Sequence, residues 1–104
     1  MATDVEHGLA LGRESAAAGS CFGQCVVGGC YEEGLGVAQD YAEAVRLFRL
    51  AAAQGLAHAQ CNLGLMFEYG WGVAQDKAEA IRWYRLAAAQ GYAFATAKLQ
   101  RLGA

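Results

Sequence analysis

Two consecutive stretches of this chain are near copies of each other. Residues 25–60 read CVVGGCYEEGLGVAQDYAEAVRLFRLAAAQGLAHAQ, and residues 61–96 read CNLGLMFEYGWGVAQDKAEAIRWYRLAAAQGYAFAT. They align without a gap at an offset of 36 residues, Cys25 onto Cys61. Roughly three positions in five are identical, and most of the others are apolar exchanges. A period of this length marks a solenoid, because one such unit cannot bury its own apolar face and stacking of neighbours makes the core continuous. The flanks keep the register. Asp4 falls where Asp40 does, Arg13 where Arg49 does, and Gly19 where Gly55 does. Residues 1–24 are therefore expected to be a degenerate half repeat, and 97–104 a terminal part-repeat, within one domain spanning 1–104.

Each unit reads as two helices. Asp40 and Asp76 sit as N-caps of the second, with Glu43 and Glu79 three residues on in a capping-box pattern. Ala44, Phe48, Ala51 and Ala52 recur at helical spacing, as do Ala80, Tyr84, Ala87 and Ala88. Trp83 lies on that packing stripe and is expected in the core. Arginines lie off the stripe, three residues after Glu43 and Glu79 in the case of Arg46 and Arg82. Gly55 and Gly91 supply the left-handed residue that closes the helix. The first helix carries a glycine mid-way, Gly28 or Gly64, at a price of about 1 kcal/mol relative to alanine. Close approach of a partner helix, facing with its alanines, is the expected reason. Gly34-Leu35-Gly36 and Gly70-Trp71-Gly72 are the turns between helices. Six helices are expected, at about 4–18, 22–33, 40–53, 58–69, 76–89 and 93–102. The last turns polar, with Lys98, Gln100 and Arg101 in place of Asn62, Gly64 and Leu65, as a terminal helix facing solvent requires.

Composition narrows the function. The formal net charge is −2, which argues against non-specific nucleic-acid binding, since that needs a basic face. No apolar run approaches the ~18 residues of a membrane span, and Met1 to Arg13 do not form a signal peptide. The four cysteines, Cys21, Cys25, Cys30 and Cys61, show no disulfide-framework or zinc-knuckle spacing. A reducing, intracellular location is expected, with the cytoplasm as the default.

The run Leu63, Gly64, Phe67, Gly70, Gly72, Val73, Asp76, Ala80, Trp83, Tyr84, Ala87, Ala88, Gly91 resembles the SEL-one-like repeat family, a close relative of tetratricopeptide repeats. The resemblance covers nearly the whole chain. It implies an all-α fold: an α/α solenoid of antiparallel helix pairs with a right-handed superhelical twist and a concave face lined by the first helices. It also implies an adaptor or scaffold that holds other proteins. Some members of the family bridge the two helices of each repeat by a cysteine pair. Here the matching places are alanines, such as Ala53 and Ala57, so those disulfides are absent.

Carrying the repeat pattern over gives the expected partner-binding face. In the first repeat it comprises Phe22, Cys25, Gly29, Glu32 and Glu33. In the second it comprises His58, Cys61, Leu65, Glu68 and Tyr69, and in the third Ala97 and Arg101. These positions vary between repeats, Gly29 against Leu65 and Glu33 against Tyr69, while packing positions do not. A mixed, partly apolar strip of this kind suits a peptide or a partner helix. The alternatives are a solvated face on a purely structural or self-associating segment, joined through open solenoid ends. Trp71 reads either as an exposed anchor or as a ring folded back over the neighbouring helix. Glu32, Glu33 and Glu68 have solvated charge as their plain reading. Cys21, Cys25, His58 and Cys61 invite a zinc site. Helix axes 8–10 Å apart make a shared ion a stretch, and small buried cysteines are the plainer reading, so no metal or cofactor is expected. His58 and Cys61 lack the third, orienting group of a nucleophilic pair, so no enzyme is expected.

Overall fold

The computed structural model describes residues 12–14 and 16–104. Five helices follow one another: α1 (Cys21–Glu33), α2 (Tyr41–Ala53), α3 (Ala57–Tyr69), α4 (Lys77–Ala89) and α5 (Ala93–Leu102). Residues 12–14 and 16–17 are also helical. The rest of the helix expected at 4–18 lies outside the described residues. Each helix packs against the one before it and the one after it, α1 on α2, α2 on α3, α3 on α4 and α4 on α5. This nearest-neighbour pattern is what a solenoid of helix pairs produces, and it draws the molecule out to 48 × 24 × 19 Å.

The caps account for the helix starts. The Asp40 carboxylate accepts from the Glu43 backbone N–H at 3.1 Å, and Asp76 does the same for Glu79 at 3.1 Å. The reciprocal half of the capping box is not made. The N–H groups of Asp40 and Asp76 already donate to the carbonyls of Tyr31 and Phe67, both at 2.9 Å. Glu43 and Glu79 turn outward instead and pair with Arg46 and Arg82.

The largest fully buried side chains are Tyr84, Phe48, Leu63, Met66 and Cys61. They show what the mid-helix glycines are for, and it differs from the expectation. The partner at Gly64 is not an alanine but the ring of Tyr84, 2.6 Å from where a Cβ would stand. At Gly28 it is the ring of Phe48, at 2.9 Å. In each pair an aromatic ring packs against the helix where the glycine leaves no Cβ. Trp83 is partly buried and packs onto this core from its edge. Among the described residues its buried indole N–H has no hydrogen-bond partner, and the Arg82 guanidinium sits 4.9 Å from its ring centroid.

Candidate functional site: a groove across the first helices

α1, α3 and the start of α5 line an open groove of about 680 Å³. Along α1 the groove wall is Phe22, Val26, Gly29 and Glu33, one face of a helix by spacing, with Cys25 and Glu32 beside them. Phe22 is 69% exposed and Val26 50%. Across from them stand His58, Asn62 and Leu65 of α3, then Leu56, Tyr92 and Phe94. Phe94 is 51% exposed. The His58 ring and the Tyr92 hydroxyl lie 2.8 Å apart, which fixes both rings at the groove edge. Nothing lies within 4 Å of a Cβ built on Gly29, so the groove is open where the next repeat has Leu65.

Seven of the expected site residues meet here: Phe22, Cys25, Gly29, Glu32, Glu33, His58 and Leu65. The others lie elsewhere. Cys61 is 1% exposed and belongs to the core, in the same cluster as Cys25, which is buried as well but also reaches the groove. Glu68, expected as solvated charge, is 5% exposed and fully engaged. It accepts from the Tyr84 hydroxyl at 2.8 Å and forms an ion pair with Arg101. Burial pushes its carboxyl up, but hydrogen bonds from Tyr84, Arg101 and Tyr69 outweigh that and hold it below the usual carboxylate range. Arg101 also donates to the Tyr69 hydroxyl at 3.2 Å. Ala97 is exposed outside the groove. Trp71 is folded back, with its ring stacked on Tyr41 at 5.6 Å and on Tyr69 at 4.9 Å. Gly72 beside it holds φ +75°, and a Cβ there would stand 2.5 Å from the Tyr41 carbonyl oxygen. The turn is thus pressed onto the start of α2, and Trp71 fastens one repeat to the next.

Five groove residues were missed from sequence: Val26, Leu56, Asn62, Tyr92 and Phe94. The register held a signal for one of them: Phe94 stands 36 residues after His58, which stands 36 after Phe22.

Cys25 and Cys61 are not poised for chemistry. Burial pushes the Cys25 and Cys61 thiols up to about 11, away from the thiolate that a nucleophile or a metal ligand uses. Among the described residues no three His, Cys, Asp or Glu side chains cluster to hold a metal ion. No helix among them is long and apolar enough to cross a membrane.

The Sel1 repeat family model matches residues 22–56 and 57–92. The chain belongs to the Sel1 repeat family. Sel1 repeats generally mediate protein–protein interactions. Two solved structures share the fold. One is c5321, a protective antigen of uropathogenic Escherichia coli strains displaying an SLR fold. It is 35% identical with a TM-score of 0.89, over 93% of this chain and 21% of that one. The other is a Sel1 repeat protein from Oxalobacter formigenes, 40% identical with a TM-score of 0.80, over 84% of this chain and 36% of that one. The present chain thus spans about a fifth and about a third of the two relatives. No curated protein matches.

Proposed function

We propose that the groove between α1, α3 and the start of α5 holds a peptide or helix of a partner protein, making this chain a non-catalytic interaction module. One observation carries the reading. Phe22, Val26 and Phe94 expose half or more of their surface around a concavity that the fold leaves open at Gly29. Scattered apolar residues on a surface are ordinary, but apolar residues gathered around a groove mark a binding site.

Selection from a phage-displayed library of random dodecamers, followed by a filled-groove variant, tests it. Gly29→Leu adds a side chain into open space and a better helix former into α1. The melting temperature is expected to hold or rise slightly, while affinity of the selected peptides falls about tenfold or more, or 1.4 kcal/mol. Peptides that bind wild type and Gly29→Leu alike would place the interaction elsewhere.

A second reading is a structural segment of a longer solenoid, or a self-associating one. It draws on the small share of the two relatives that this chain spans. A mass that rises with concentration in sedimentation would support self-association, and one mass throughout would exclude it.

A further inference from the structure

The two repeats share a backbone but not the fate of one glutamate. Glu32 and Glu68 occupy the same place 36 residues apart, near the end of the first helix of each repeat. Their surroundings match bond for bond on the main chain. Gln39 donates to the Glu32 carbonyl at 2.8 Å, and Gln75 to the Glu68 carbonyl at 2.8 Å. The side chains differ. Glu68 takes a hydroxyl from Tyr84 and a guanidinium from Arg101, and Arg101 also leans on the Tyr69 hydroxyl. One repeat earlier these three places hold Phe48, Leu65 and Glu33. Both groups that satisfy Glu68 are therefore missing around Glu32, and a second carboxylate stands where the tyrosine would be. Among the described residues neither Glu32 nor Glu33 forms an ion pair. Both line the groove, beside Leu65 and the open space at Gly29.

We infer that the groove selects a partner segment in which a basic side chain sits among apolar ones, the cation entering beside Leu65 to pair with Glu32 and Glu33 as Arg101 pairs with Glu68 and Tyr69. An arginine fits best, because its planar fork offers donors to both carboxylates at once. The apolar neighbours would cover Phe22, Val26 and Phe94. The electrostatics agree with the geometry. Burial first, and the neighbouring Glu33 second, push the Glu32 carboxyl up, opposite in direction to Glu68. A charge held at a cost in the free protein is relieved when a cation arrives.

The inference rests on the groove being the binding site, and its test separates the two. Dodecamers that bind wild type and lose affinity on Gly29→Leu define the groove binders. These are expected to be enriched in Arg or Lys at one position flanked by apolar residues. Glu32→Gln, nearly isosteric and part-exposed, should leave the melting temperature close to wild type and weaken these peptides about tenfold. Changing the basic residue of the peptide to Gln should weaken binding to wild type at least as much and have a smaller further effect on Glu32→Gln, where only the Glu33 pair is left to lose. Groove binders without a basic position, or two losses that simply multiply, would overturn the inference and leave the groove reading standing. An absence of any groove binder would overturn both.

Discussion

Gly64 and Glu68 are the two residues on which the second repeat turns. A Cβ at Gly64 would meet the Tyr84 ring at 2.6 Å, and that ring is fully buried. Gly64→Ala, usually helix-favouring, is therefore expected to destabilise the fold by about 1–3 kcal/mol through overpacking, read as a fall in melting temperature. Glu68 gives a prediction with a defined sign. Its folded carboxyl is held below its unfolded value by the hydrogen bonds it accepts, those of Tyr84 and Arg101 among them. The stability it contributes is present above the unfolded value and is lost as pH falls through the folded one. Glu68→Gln should thus be less stable than wild type at pH 7, by about 1–3 kcal/mol. The difference should shrink as both are melted at progressively lower pH through the acid range. A constant difference would mean that the carboxylate charge is not what matters. The sequence pointed to the glycine but not to its neighbour, because a helical stripe shows which face is packed and not which ring crosses it. It hid Glu68 for a related reason: a lone glutamate looks solvated until the tyrosine 16 residues on and the arginine 33 residues on are folded onto it.

At the level of helices, the duplicated sequence made most of the boundaries legible. Asp40 and Asp76 mark starts, Gly34 and Gly70 mark stops at φ +72° and +70°, and α1 to α5 fall within a residue of the expected spans. Each aspartate cap is predicted to contribute about 1 kcal/mol. Asp40→Ala and Asp76→Ala should each lower stability by about that amount in urea titrations, and the double variant by close to the total, since the caps lie in different repeats and share no hydrogen bond. The capping-box glutamates could not be read correctly from the motif. Whether Glu43 reaches back depends on whether the Asp40 N–H is free, and that N–H is taken by the Tyr31 carbonyl across the turn. The turn itself was ambiguous from sequence at Trp71. Its stacking partners Tyr41 and Tyr69 have Lys77 and Glu33 as their counterparts in the other repeat, so the repeat pattern did not mark a ring stack there.

For the whole molecule, stacking two near-identical units leaves one groove whose walls differ from end to end. The repeat register brought seven expected residues to it, from Phe22 to Leu65, while Cys61 is packed in the core and Glu68 and Arg101 are engaged with each other. For the glutamates that asymmetry follows from the residues of the next two helices: Tyr84 and Arg101 engage Glu68, where Phe48 and Leu65 offer Glu32 no donor. Exposed apolar side chains also occur away from the groove, at Leu50 on α2 and Leu86 on α4, 44% and 43% exposed. They offer a competing surface. The most direct measurement is therefore NMR titration of the isotope-labelled protein with a selected dodecamer. Shift changes centred on Phe22, Val26, Leu65 and Phe94, with Leu50 and Leu86 unmoved, are the predicted result. Changes centred on Leu50 and Leu86, with the groove silent, would contradict the account.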